Sequence, residues 1–189
     1  MLKQGDMLAI LAHAEMAMGG LGGPAGRNLL DDPDGWNSLD VDYEPPRVER
    51  LWRPFQGDYR LYLHRIYPCE KALFHPHPWP SAVKIMTGSY EMGVGYREPN
   101  KLLVGEDDGS EPPPVATTII LTKGSTYEMI NPHGWHWVRP LGGTSYSIMV
   151  TGRPWEPRHW VPRADHKLGP ITNQAKADIL ALFRSLYGR

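Results

Sequence analysis

The apolar positions change period twice along the chain. Over Gly5–Met18, Leu8, Leu11 and Met18 fall on one helical face with Ile10 and Ala14 beside it, which predicts a helix ended by Gly19-Gly20 and Gly22-Gly23-Pro24. Residues 27–47 have no period. Asp, Pro and Gly alternate with isolated Leu29, Leu30, Trp36 and Leu39, the pattern of an irregular arm that docks its few apolar side chains on the body. From Val48 the period shortens to two. Tyr59–Tyr67, Ala82–Met86, Tyr90–Tyr96, Ala116–Leu121, Tyr127–Ile130, His136–Val138 and Thr144–Val150 each read as a short strand, with a hairpin expected at Gly88-Ser89. Residues 98–114 are polar with three consecutive prolines, predicting a loop that holds a short strand at Leu102–Val104. Helical spacing returns at the end, where Thr172 can cap a helix whose Ile179, Leu182, Phe183 and Leu186 share a face.

Many short strands between turns suggest an antiparallel sandwich or small barrel. Composition supports this: 20 Gly and 19 Pro in 189 residues leave little room for long helices, while seven Trp and nine Tyr supply core mass. The expected organisation is one structural domain: an N-terminal helix and arm over 1–47, a barrel over 48–155, and a C-terminal loop and helix over 156–189. With 20 basic and 21 acidic residues the net charge is −1, which argues against nucleic acid as a partner. The absence of a long apolar run argues against a membrane span, and Asp6 and Glu15 interrupt the signal-peptide-like N-terminus. One cysteine, Cys69, cannot form an internal disulfide. With the preceding points this fits a cytoplasmic protein, and Cys69 itself is expected as a small buried hydrophobe.

Candidate chemistry lies with eight histidines. On an extended segment His75 and His77 point to the same side and can share one metal ion. Three residues separate His77 from Ser81, and six more precede Gly88. A second segment runs from Gly124 through Pro132-His133-Gly134-Trp135-His136.

These two segments resemble the paired motifs of the cupin superfamily, Gly-x5-His-x-His-x3/4-Glu-x6-Gly and Gly-x5-Pro-x-Gly-x2-His-x3-Asn, over residues 64–151. The resemblance implies a mainly β fold, the double-stranded β-helix or cupin jelly-roll barrel, here with an N-terminal helix and arm and a C-terminal helix. It also implies a divalent metal held by His75, His77 and His136, with His133 as a rival third ligand. The sequence departs from the family where Cys69 replaces the first Gly and Ser81 replaces the Glu ligand. The second motif is also longer before Pro132, and its histidine comes one residue early. Glu91 or Glu128 is an alternative source of the missing carboxylate, and Ser81 is allowed a water-mediated role. Three neutral imidazoles leave the ion's charge uncompensated and favour an anionic ligand. His75-Pro76-His77-Pro78, Lys84 and Gly88-Ser89, with Arg153-Pro154-Trp155 after the last strand, are similar to the three-histidine thiol dioxygenase branch.

Arg60, Tyr62 and His64 alternate on one side of the strand before the histidine pair and are the candidate substrate contacts. The competing arrangement turns Leu61 and Leu63 inward and leaves Arg60 in solvent. Trp79, Trp135 and Trp137 serve as pocket walls or as core, and His159 and His166 read as surface residues. The expected activity is that of a mononuclear non-haem iron dioxygenase acting on a small thiol, carboxylate or diketone anion. Fe(II) is the preferred ion, with Zn, Ni or Mn as other choices. A small-molecule-binding or regulatory cupin and a sugar-type isomerase or epimerase are the alternatives. A homodimer is the expected assembly.

Overall fold

The computed structural model describes residues 3–20, 28–97, 112–155 and 168–188. The expected Leu102–Val104 strand, His159 and His166 lie outside the described residues. After helix α1 (Asp6–Met18), two short 3-10 turns lead into β1 (Asn37–Val41), β2 (Val48–Phe55) and β3 (Tyr59–Ile66). Then come the two-residue β4 (His75–Pro76), β5 (Ser81–Thr87), β6 (Ser89–Tyr96), β7 (Val115–Thr122), β8 (Thr126–Met129), β9 (Gly134–Pro140) and β10 (Ser145–Thr151), with helix α2 (Asn173–Leu186) last. The strands form two antiparallel sheets, of order β1-β2-β3-β10-β5-β8 and β4-β9-β6-β7. This is the mainly β, two-helix architecture that the residue pattern and the motif resemblance imply.

Three elements differ from expectation. Residues 37–41 do not merely drape over the body. They form β1 and extend the larger sheet by pairing along β2 from Val41↔Val48 to Asn37↔Trp52. The expected hairpin at Gly88-Ser89 does not form: β5 pairs with β10 and β8, whereas β6 pairs with β7 and β9 in the other sheet. A single residue, Gly88, separates β5 from β6, too short a link for the usual two-residue hairpin loop. It has φ +77°, and a Cβ there would lie 2.9 Å from Ser145 Cα. This sharp left-handed corner carries the chain between layers. In α1 the buried face is Met7, Leu11, Ala14, Ala17 and Met18, with Leu8 and Ile10 at its margins.

Two apolar layers result. The outer face of the larger sheet buries Leu51, Leu61, Leu63, Ile148 and Val150 beneath α1, α2 and the arm. The inner face contributes Tyr62, Val83, Ile85 and Met149 to a second cluster with Tyr90 and Met92 of the smaller sheet. Covering both faces explains why β3 and β10 are buried along most of their length, polar His64, Ser145 and Ser147 included. The arm is pinned by polar contacts as well: Trp36 Nε1 donates to the Leu29 carbonyl at 3.0 Å, and Arg184 donates twice to the Leu30 carbonyl, at 3.0 and 2.7 Å. Thr172 caps α2 as its sequence position predicts, its Oγ1 accepting from the Ala175 amide at 3.1 Å.

Candidate metal centre

Short β4 lies against β9 in the register His75↔His136 and Pro76↔Trp135. Pro76 makes this an extended pair that cannot continue as a central strand, so His75 and His77 project from a brief edge segment. On β9, alternation sends His136 inward and Trp135 and Trp137 to the other side. Potential ligand atoms of His75, His77 and His136 all lie within 4.8 Å of one another. His133 is outside the cluster. It sits in the turn before β9, where its amide donates to Asn131 Oδ1 at 2.9 Å and its ring meets Tyr96.

Each clustered imidazole is oriented through Nδ1. His75 Nδ1–H donates to the Leu73 carbonyl at 3.0 Å, and His136 Nδ1 lies 3.5 Å from Met92 Sδ. Both partners are acceptors, so they place the protons on Nδ1 and leave Nε2 with its lone pair. His77 Nδ1 lies 3.0 Å from Ser81 Oγ, a hydroxyl that can accept or donate. Ser81, fully buried where the related motif has Glu, thus reaches a histidine directly rather than through water. The Nε2 atoms of His77 and His136 are 2.8 Å apart. If Ser81 donates to His77 Nδ1, His77 Nε2–H donates across this gap to His136; if Ser81 accepts, two bare lone pairs face each other there. A cation between them satisfies both, and ligands at right angles on bonds of roughly 2.1 Å would stand about 3 Å apart. The donor set therefore fits a divalent ion. Withdrawal from bulk water lowers the proton affinity of all three histidines, and their mutual repulsion adds to this at His77 and His136. They are kept neutral, the form that ligates metals.

Neither proposed substitute carboxylate reaches the cluster. Glu91 points outward from β6 and pairs with Arg139, while Glu128 Oε1 accepts from the Gly5 amide at 2.6 Å, at the start of α1. Among the described residues the cluster contains no acidic member.

The histidines open onto a barrel cavity of about 430 Å³. Tyr62 and His64 line it from β3, Tyr90 from β6 of the smaller sheet and Tyr127 from β8 at the far edge of the larger one. The Tyr90 hydroxyl donates to that of Tyr127 at 3.1 Å, and burial pushes the Tyr127 phenol up to about 12, so both remain protonated. The two readings of β3 prove compatible. Tyr62 and His64 face the cavity, while Leu61 and Leu63 are buried on the other face beneath the helices. Arg60 is the exposed member, at the cavity margin with its guanidinium 5.2 Å from the Trp52 ring centre. Of the three tryptophans only Trp79 lines the cavity. Trp135 packs on Phe74 and Arg97, and Trp137 lies against Gly93. Cys69 is half-buried rather than a core residue, and burial raises its thiol pKa.

The residue that sequence reasoning missed is Arg50 on β2. It lines the cavity directly opposite His64 in the β2–β3 register, and its positive charge reaches His64, His75 and His77. The signal was present in the alternation of β2, where Arg50 shares a side with Val48 and Trp52, but an Arg on a strand ordinarily reads as solvent-facing.

No protein-family model matches the sequence, and no curated protein matches it. Solved structures are similar in fold. They include hydroxypropylphosphonic acid epoxidase from S. wedmorenis (16% identity, TM-score 0.45, covering 63% of this chain and 56% of that one). KdgF from a Halomonas species is also similar (14% identity, TM-score 0.43, 65% and 90% covered), as is the Cnp3 cupin domain of Schizosaccharomyces pombe (9% identity, TM-score 0.40, 56% and 64% covered). The chain thus spans little more than half the length of the epoxidase. Two antiparallel sheets, with His75, His77 and His136 converging on the cavity, are the arrangement that the motif resemblance implies.

Proposed function

We propose that this cupin is a mononuclear non-haem iron dioxygenase acting on a small anionic substrate. The observation that carries the reading is the all-histidine cluster at a cavity wall, without a carboxylate among its described members. His75, His77 and His136 would hold the ion through Nε2. When bound, Fe(II) supplies Lewis acidity and redox chemistry toward dioxygen. A neutral ligand set leaves the ion's dipositive charge uncompensated, which favours a substrate that arrives as an anion.

The protein's own contributions are positional. Leu73, Ser81 and Met92 hold the three rings by their Nδ1 edges, as outer partners of metal-binding histidines do. Tyr90 and Tyr127, kept protonated, supply hydroxyls on the cavity wall. Val83, Val138 and Met149 give that wall an apolar lining that limits water around the substrate.

The test is oxygen consumption by protein loaded anaerobically with Fe(II) and then offered small thiols, carboxylates and diketones in air-saturated buffer. The reading predicts uptake that requires both iron and substrate and is lost on replacing iron with zinc. Iron-loaded protein that consumes no oxygen above the no-protein control with any of these classes would overturn it.

A further inference from the structure

Arg50 lies inside the cavity without a carboxylate. Its Nε is buried without a hydrogen-bond partner, and among the described residues no ion pair engages it. Among the neighbouring arginines, Arg47 and Arg65 pair with Glu49 and Arg53 pairs with Asp32, while Arg60 is exposed at the rim. The acidic residue among the cavity-lining side chains, Glu44, is exposed. Arg50 is half-buried with its Nε withdrawn from water and unpartnered, and holding a guanidinium partly out of water with no opposite charge is unfavourable unless a partner arrives later.

A second orphan stands beside it. His64, Arg50's register partner, is 6% exposed, and its Nε2 is also buried without a partner. His64 Nδ1 lies 3.4 Å from Ser147 Oγ on β10. With the hydroxyl donating to Nδ1, the imidazole proton sits on Nε2 and faces the cavity as a donor. Desolvation and the Arg50 charge both keep this imidazole neutral. Two donors, one cationic and one neutral, therefore line the same cavity from adjacent strands and lack acceptors. They are set apart in the chain from His75, His77 and His136.

We infer that Arg50 and His64 form an oxyanion subsite that receives a carboxylate of the substrate while another group of the same molecule faces the three-histidine centre. The substrate is then bifunctional and small enough for the cavity of about 430 Å³. Arg50 contributes a charge-assisted, fork-shaped contact, and His64 adds one N–H. Specificity follows from the cost of leaving the pair unsatisfied: a molecule of the same length ending in a hydroxyl cannot neutralise the guanidinium. Arg60, first considered for this task, is at the rim and stacks on Trp52. This inference rests on the cavity being the substrate chamber of the proposed metal centre.

The test titrates 3-mercaptopropionate and 3-mercaptopropan-1-ol into wild-type protein, Arg50→Met, Arg50→Lys and His64→Phe, following tryptophan fluorescence, with the metal content of each sample measured. The wild type is expected to favour the carboxylate by about tenfold or more, and Arg50→Met to lose that preference. Arg50→Lys should keep part of it, and His64→Phe should weaken carboxylate binding several-fold. Because the guanidinium has no internal partner, Arg50→Met is expected to melt no lower than wild type. A structural arginine would show the opposite. Equal affinities for the two probes in wild type, no binding of either, or a preference that survives Arg50→Met would overturn the subsite. A carboxylate preference that disappears with Arg50 in protein that binds no metal would keep the subsite and reject the metal reading, so the two failures are distinguishable.

Discussion

Ser81 shows how a residue-scale departure from the cupin motif is absorbed. Where the related motif offers a carboxylate ligand, this chain offers a hydroxyl that holds His77 by Nδ1. Its loss should act on metal affinity more than on fold. Ser81→Ala is expected to weaken binding by roughly 10–100-fold, because the ring loses the contact that orients it. Competition against a chelator of known affinity measures this, and an affinity within about twofold of wild type would show that Ser81 does not support the ligand set. Glu128→Gln provides a contrast. Its contact is with the Gly5 amide, so it should leave metal affinity unchanged while lowering stability by about 1 kcal/mol through loss of the charge at the start of α1.

At the element scale, the decisive feature is the corner at Gly88. A side chain there meets both a left-handed φ of +77° and the Ser145 backbone at 2.9 Å. Gly88→Ala is therefore expected to cost about 1–3 kcal/mol, read from the urea midpoint at constant slope. The same change at Gly134, whose Cβ would have its nearest neighbour at 3.3 Å and whose φ is not left-handed, should cost clearly less. Similar losses at the two positions would remove the corner's special role. This corner also marks the limit of sequence reading. Periodicity located β5 and β6 closely, but alternation carries no information about which sheet a strand joins, and a Gly-Ser pair looks the same in a hairpin and in a crossing. The strand β1 was hidden for a related reason. Asn37, Ser38 and Asp40 have poor strand propensity, and pairing with β2 overrides it. His75 and His77 were legible because a motif spaces them, whereas His136 stands one residue early in the second motif and is distinguished from His133 by the pairing of β4 with β9. Arg50 was not, since its placement emerges only when β2 is laid beside β3.

At the scale of the whole molecule, four histidines among the described residues have their pKa lowered chiefly by desolvation: His64 and His136, which are buried, and His75 and His77, which are half-buried. In the unfolded chain each regains a value of about 6.5. Above that pH both states are neutral and the folded state keeps its full stability. Below it the unfolded chain binds protons that the folded one resists, so stability falls as pH falls toward the lowered folded values. The slope is up to about 1.4 kcal/mol per pH unit for each histidine. Metal-free protein should thus show a lower urea midpoint at pH 5.5 than at pH 7.5, and a midpoint that is flat between them would contradict burial of neutral imidazoles. Added divalent metal at the higher pH should raise the midpoint further, because only the folded chain gathers the three ligands.

The central claim is that His75, His77 and His136 together hold one metal ion. Elemental analysis of wild type, His136→Ala and His133→Ala, each reconstituted with Fe(II) under anaerobic conditions and desalted, tests it most directly. The account predicts about one ion per chain in wild type and in His133→Ala, and less than about a tenth of that in His136→Ala. A full equivalent retained by His136→Ala, or no retained metal in wild type, would contradict it.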